Sequence, residues 1–359
     1  MKKLNVAIIG HGRSGRGIHG KYFKSELNKL FTVKYIVDTD ERRRAMAKEM
    51  FPEAEVLADY TELFDKDVDL ITNATYSNDH YRITKDLLEH GKNVMSEKPF
   101  GRSYFECSEL IRTAERMGVV LAVFHNTQPA PFYVKAKEVI ASGILGDITE
   151  ISIRYNGYAR RWDWQTLQWR LGGSLYNTGP HPVAMALGFY DFDEKTQVKY
   201  SKLSRMQTSG DAEDFVKIIL GADGRPPIDI EISSTDPYTD YTLKIQGSHG
   251  CFKATAGAYK MKYRVEGENP QRKVEPNFIY GENFEPVFCS EKLVMHEEEG
   301  SFEGNAMDVG VDTIYTGAYD RITGRGELAV SNEMARQVVS VIEAVHSQNR
   351  LEVKYIEEK

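Results

Sequence analysis

The chain has 359 residues, of which 41% are hydrophobic and 28% charged, and its formal net charge is −7. This is the composition of an ordinary globular chain, with material for a sizeable core and a length that suits two domains. The acidic balance, the lack of a long basic run and the lack of any apolar run near the roughly 20 residues of a membrane span argue against nucleic acid or a membrane as partner.

In chain order, Leu4–Ile9 reads as a buried strand and Ser14–Lys29 as a helix capped by Ser14. Strand Thr32–Val37, helix Glu41–Met50, strand Asp69–Ala74 and helix Asn78–Glu89 follow, then strand Asn93–Ser96, helix Tyr104–Met117 and strand Val119–Phe124. Short apolar strands alternating with amphipathic helices predict βαβ units and a doubly wound parallel sheet. Beyond Phe124 the grammar changes. A helix over Pro131–Ala141 leads into alternating strands at Thr149–Tyr155, Gln197–Leu203, Asp214–Leu220, Ile228–Ser233 and Tyr241–Gln246, with a helix at His181–Phe189. The polar segment 266–304 reads as a long irregular insertion, and helices near Met307–Ile322 and Asn332–Ser347 close the chain. The expected architecture is α/β followed by α+β. Residues 1–125 form a nucleotide-binding domain, and 126–359 a substrate and oligomerisation domain on a largely antiparallel open sheet.

Met1-Lys2-Lys3-Leu4 runs into a strand without an apolar signal region. Cys107, Cys251 and Cys289 lie far apart without metal-like spacing, which points to reduced thiols, a cytoplasmic location and no metal. Arg42-Arg43-Arg44 sits among acids and reads as a solvated helix face.

Gly10-His11-Gly12-Arg13-Ser14-Gly15 is a Gly-x-Gly-x-x-Gly fingerprint between a strand and a helix. Gly10 permits a tight turn, Gly12 lets backbone approach a pyrophosphate, and Gly15 lets the helix pack close to the strand. Arg13 and Ser14 open the helix whose free N–H groups face the phosphates. Asp38 follows Gly15 by 23 residues, at the end of the second strand, near the spacing of the acid that binds the adenosine ribose. A carboxylate there repels a 2′-phosphate and Asp40 adds to this, so NAD is favoured. Arg42 and Arg43 keep NADP as the minor alternative.

The glycine loop, Asn73-Ala74-Thr75-Tyr76-Ser77-Asn78-Asp79-His80, Gly91-Lys92-Asn93-Val94 and Glu97-Lys98-Pro99 resemble the Gfo/Idh/MocA oxidoreductase family from Val6 to near Val353. The resemblance implies a Rossmann domain and cofactor contacts at Ala74, Thr75, Asn78, His80, Glu97, Lys98, Pro99 and Asn126. It also implies that Lys98 touches the nicotinamide ribose and the substrate, and that the Lys98–Pro99 bond is often cis. Gly172-Gly173-Ser174-Leu175-Tyr176-Asn177-Thr178-Gly179-Pro180-His181 resembles the second signature, with two departures. Asn177 stands where an aspartate is usual, and Ala184 replaces an acid after the histidine.

The candidate catalytic residues are therefore Lys98, His181 and Asn177. An imidazole titrates near neutral pH, and a lysine between a cationic ring and apolar walls loses basicity. The expected reaction is hydride transfer between nicotinamide and a sugar or polyol carbon, with His181 moving the hydroxyl proton and Lys98 positioning the oxygen. Tyr158, Arg161, Trp162 and Trp164 are expected to line the substrate with Lys98, Asn177 and His181, because aromatic faces beside charged groups suit a carbohydrate. Thr127 and Gln128 stand where relatives often carry arginines, which weighs against a highly anionic substrate, and Tyr315 is a further candidate. Two alternatives stand beside this reading: transient sugar oxidation serving elimination or glycoside cleavage, and a non-catalytic sensor of NAD and sugar. A sheet face uncovered by helices would be an apolar liability, and the resemblance implies that such sheets pair between copies, so a homodimer or homotetramer is expected.

Overall fold

The computed structural model describes residues 2–303 and 306–356. Six strands form the first sheet: β1 (Leu4–Ile9), β2 (Phe31–Val37), β3 (Glu55–Leu57), β4 (Leu70–Asn73), β5 (Val94–Ser96) and β6 (Leu121–Val123). All pair in parallel in the order β3-β2-β1-β4-β5-β6, with β1 flanked on opposite sides by β2 and β4. Val6, Ile8, Leu70, Val94 and Met95 are buried, as strands covered on both faces require. Register aligns Ile9 with Val37 and Asn73, and Asn73 with Ser96. The glycine loop, Asp38, the 74–80 loop and Glu97-Lys98-Pro99 therefore leave the same carboxyl edge, beside the point where strand order reverses.

The second sheet has eight strands: β7 (Ile148–Asn156), β8 (Gln197–Ser204), β9 (Phe215–Gly221), β10 (Ile228–Ser233), β11 (Leu243–Gly247), β12 (Gly250–Ala254), β13 (Ala258–Tyr263) and β14 (His296–Ser301). Their order is β14-β13-β12-β11-β7-β10-β9-β8, antiparallel except for the β7–β10 pair. Alternation sends Ile151, Ile153, Ile218, Ile230 and Ile245 into one core with helices Pro131–Ser142, Pro180–Phe189 and Asn332–Gln348. The opposite face is not apolar at its centre. Asp229 meets Arg154 at 2.5 Å and Lys217 at 2.8 Å, and Lys217 also reaches Glu231 at 3.1 Å.

The closing helices tie the sheets together. Ala306–Ile322 packs Ile314, Tyr315 and Ala318 against the first sheet. Asn332–Gln348 buries Ala335 and Val339 with the first sheet's other face, and Val338, Ile342 and Val345 with the second sheet.

Several boundaries differ from expectation. The helix after the glycine loop begins as a π-helical turn, Gly15–Gly20, continues as Lys21–Lys24 and stops well before Lys29. Asn28 ends it: its amide donates to the Phe23 and Phe31 carbonyls, and its Oδ1 accepts from Phe31 N–H at 3.0 Å, bonds that compete with helix. Ser14 makes no capping hydrogen bond. β3 and the hairpin β12–β13 were not expected, and β14 falls inside the segment read as irregular. The hairpin's strands are short, five and six residues, yet Tyr259, Met261 and Tyr263 alternate with Lys260 and Lys262, the period of a half-buried strand.

Candidate active site

A cavity of about 570 Å³ runs along the carboxyl edge of the first sheet, from Asp38 past the glycine loop to Lys98, Trp164 and Asn177. Glycine is demanded at two corners. Gly10 sits at φ +86° with a would-be Cβ 2.6 Å from the Ala74 carbonyl oxygen, and a Cβ on Gly15 would run into the Gly10 carbonyl. Gly12 differs: its would-be Cβ meets only Arg43 Nη1, at 3.8 Å, so space lies open over this backbone. Tight glycines behind and an open one in front make a cradle that a dinucleotide's phosphates fit.

Asp38 is buried at the far end, where its carboxylate accepts from His11 N–H at 2.7 Å and Asp40 N–H at 2.9 Å. Arg43 Nη1 lies 3.8 Å from the same carboxylate. Ala74, Thr75 and His80 line the middle. The His80 ring contacts the Pro99 carbonyl at 2.9 Å and the Thr75 carbonyl at 3.3 Å; burial lowers its pKa, and the two carbonyls oppose that shift.

At the other end the Lys98–Pro99 bond is cis, and Lys98 Nζ donates to the Asn177 backbone carbonyl at 2.6 Å. Asn177 Oδ1 accepts from Gln165 Nε2 at 2.7 Å, and Gln165 Oε1 accepts from Arg13 at 3.3 Å. A continuous polar line thus joins the glycine loop to the lysine. Burial lowers the Lys98 pKa; Glu97 pulls it back up, and Arg13 and Arg161 push it down again. Burial alone would raise Glu97, but a 3.1 Å bond from His19 and the charge of Lys98 overcome it and bring the carboxyl to about 2.

His181 accepts or donates at 3.3 Å with the Thr127 hydroxyl and lies face to face with Tyr155 at 6.5 Å. Burial, then the positive charge of Lys98, then His125 push its pKa down to about 3, so the ring is neutral at physiological pH. Gly172-Gly173 has a local cause. Gly173 takes φ +97°, and a side chain there would strike the Glu213 carboxyl, which accepts from Leu175 N–H at 2.8 Å and is pushed by burial to about 7.

Of the expected residues, Gly10, Gly12, Arg13, Ser14, Asp38, Ala74, Thr75, His80, Glu97, Lys98, Trp164 and Asn177 line the one cavity. Gly15 and Pro99 shape it from behind. Asn78 is turned to Arg170 at 3.3 Å, and Asn126 donates to the Met307 sulfur at 2.8 Å. Arg161 pairs with Asp163 at 2.7 Å, while Tyr158 and Trp162 stand on an exposed rim instead of the cavity wall. Sequence reasoning missed Gln165, His19, His125 and Glu213. Only His19 carried a signal, three residues beyond Ser-Gly-Arg on the glycine-loop helix, and the π-helical turn is what directs it to Glu97. Tyr315 lies behind it, its hydroxyl 2.8 Å from His19 Nδ1 and 3.0 Å from Thr72. Among the described residues no group of three or more His, Cys, Asp or Glu is placed to hold a metal ion, and no helix is long and apolar enough to cross a membrane.

Residues 4–125 match the oxidoreductase family NAD-binding Rossmann fold of GFO/IDH/MocA, and residues 133–253 match the GFO/IDH/MocA C-terminal domain. The chain belongs to the Gfo/Idh/MocA family. It is an NAD(P)-binding oxidoreductase of that family. It is 25% identical over 278 residues to an uncharacterized oxidoreductase of Schizosaccharomyces pombe, covering 76% of this chain and 74% of that one. It is 30% identical over 194 residues to the scyllo-inositol 2-dehydrogenase (NADP(+)) of Bacillus subtilis, covering 52% of each. The fold superposes on GenD2 from gentamicin A biosynthesis, solved in complex with NAD, with TM-score 0.76 at 21% identity over 97% of this chain and 94% of that one.

Proposed function

We propose that this member of the family is an NAD-dependent dehydrogenase acting on a CH–OH group of a sugar, polyol or sugar derivative. The observation that carries the reading is the Lys98 amine, held on the Asn177 carbonyl at 2.6 Å in the same cavity as the glycine cradle. The scyllo-inositol dehydrogenase among the relatives supports the substrate class.

A bound nicotinamide supplies the hydride acceptor. Gly10, Gly12, Arg13 and Ser14 hold the phosphates, and Asp38 takes the ribose hydroxyls. The Asp38 carboxylate disfavours a 2′-phosphate, which supports NAD; Arg43 beside it is the group through which NADP would bind. Lys98 holds the substrate oxygen and takes its proton, since burial already disfavours its charged form. His181 is too weakly basic, at about 3, to store that proton, so it orients the hydroxyl as a neutral hydrogen-bond partner. Asn177 contributes its carbonyl to Lys98, while Gln165 holds its side chain. Trp164 and Arg161 border the substrate end. In this reading residues 1–125 bind the cofactor, residues 126–359 bind substrate, and the protein works in the cytoplasm.

The test is a panel of polyols, sugars, sugar acids and glycosides with NAD and NADP, reading both reduced dinucleotide and product. Reduced dinucleotide accumulating with a polyol or sugar is expected, with NAD used better than NADP. An altered product without net reduction would instead favour transient oxidation. Tight dinucleotide binding with no hydride exchange on any substrate would favour a sensor.

A further inference from the structure

The excursion between β13 and β14, residues 264–295, exposes apolar side chains that no other described residue covers. Phe278, Phe284 and Phe288 are 79%, 79% and 91% exposed. They are not scattered on a loose loop. Val287 N–H donates to the Ile279 carbonyl at 2.8 Å and Gly281 N–H to the Glu285 carbonyl at 2.9 Å, closing a small hairpin. Tyr280 stacks on Phe284 at 4.5 Å within it. A preformed apolar hairpin at a sheet edge has paid its ordering entropy before it meets a partner, and bare apolar patches of this kind mark interaction sites.

A second bare patch lies elsewhere. Tyr158, Trp162, Met206 and Tyr238 are 68%, 82%, 61% and 90% exposed. Their three loops are joined: Asp236 N–H donates to the Gly157 carbonyl at 3.1 Å, and Gln207 Nε2 to the Ala159 carbonyl at 3.1 Å. This rim adjoins the cleft through Asp163 and Trp164, which line the cavity.

Register separates the two patches. β13 ends at Tyr263 opposite His296, at the same end of the sheet as Gly250 and the start of β7 at Ile148. The rim loops leave at the other end, where β7 and β10 finish together at Asn156 and Ser233. The nine residues of β7 set the ends about 30 Å apart. A two-fold axis that reverses strand direction brings the arm end of one sheet to the rim end of another, twice over. The three phenylalanines expose on the order of 450 Å², and with two arms and two rims the pair reaches the roughly 800 Å² per partner of a stable interface.

We propose that residues 264–295 form an arm that docks on the Tyr158–Trp162–Tyr238 rim of a second copy of this chain, so that each cleft mouth is walled by its partner. The arm carries its own probe, the exposed Cys289 next to Phe288, while Cys107 is buried. In a Cys251→Ala background, a maleimide photo-crosslinker placed on Cys289 in a mixture of isotope-labelled and unlabelled chains separates contacts between copies from contacts within one. The expected result is crosslinks between copies to peptides carrying Trp162 or Tyr238. Replacing Phe278, Phe284 and Phe288 together with Ser should abolish those crosslinks and lower the sedimenting mass, with far-UV circular dichroism and dinucleotide binding unchanged because the three side chains are exposed within one copy. A monomeric wild type, crosslinks between copies that map away from the rim, crosslinks confined to one copy, or a Ser variant with wild-type mass and crosslinks would each overturn the proposal.

Discussion

At the Asp38 end of the cleft the walls are backbone: two glycines that admit no side chain, one that leaves space, and a carboxylate held by two N–H groups. At the Lys98 end they are mostly side chains drawn from loops and helices around both sheets, with the amine on the Asn177 carbonyl, the Gln165 amide on the Asn177 side chain and the Glu97 carboxylate on His19. The first end is fixed by exclusion and acts through dipoles. The second is fixed by opposed charges in a buried setting, where removing any one partner changes the proton affinity of the rest. The difference teaches where each kind of substitution should act: binding at one end, proton chemistry at the other.

Replacing Lys98 with Ala should make the largest difference, a loss of about 10³ in turnover with dinucleotide affinity nearly unchanged, measured by steady-state kinetics and calorimetry. Equal losses in both would erase the distinction between the ends. The glycines sharpen it within one loop. Gly15→Ala forces a Cβ onto the Gly10 carbonyl and should cost about 3 kcal/mol or more of stability in denaturant unfolding. Gly12→Ala meets open space, so the fold should hold while dinucleotide affinity falls about tenfold, or about 1.4 kcal/mol, as the methyl enters the cradle.

Two substitutions should move the pH–rate profile in opposite directions. Glu97 raises the Lys98 pKa, so Glu97→Gln should shift the rise in activity about one unit toward acid. Asn177→Asp adds a negative charge on the residue whose backbone carbonyl holds the amine and should shift it toward alkali, by up to about one unit. Shifts of the same sign, or none, would remove Lys98 from the proton path.

The smallest effect concerns stability. His125, His181 and His346 have native values of about 4, 3 and 4, below the ordinary 6.5. Their contribution is complete above pH 6.5 and is lost as pH falls toward 4 and 3, because the unfolded chain takes up protons first. Glu213, raised to about 7, works in reverse: its contribution is complete below 4.5 and is lost as pH rises through 7. Three protons outweigh one, so the urea midpoint should fall between pH 7 and pH 5, and His181→Asn should flatten that fall.

The cofactor end was legible because its constraints are local. Gly10, Gly12, Gly15 and Asp38 announce themselves by spacing within one βαβ unit. Lys98 was legible because it ends a strand whose neighbours are also readable. Gln165 and Glu213 were not, since each acts through a contact with a residue far along the chain and carries no pattern of its own. Asn177 was found, but its side chain faces Gln165, a partner that spacing gives no means to choose. The histidine was found too, yet its low basicity comes from burial beside Lys98 and His125, which only the folded arrangement creates. Among the elements, the glycine-loop helix was overextended because Asn28 folds its side chain back on the backbone, and β12–β14 were missed because they are only five or six residues long and Gly250, Gly257 and Gly300 read as turn residues.

The most direct test of the central claim uses a polyol or sugar carrying deuterium at its CH–OH carbons, incubated with the protein and NAD, with mass spectrometry of the recovered dinucleotide. The account predicts deuterium in the dinucleotide with the wild-type chain and almost none with Lys98→Ala. A dinucleotide that binds but stays free of deuterium across the panel, or an equal label with Lys98→Ala, would contradict it.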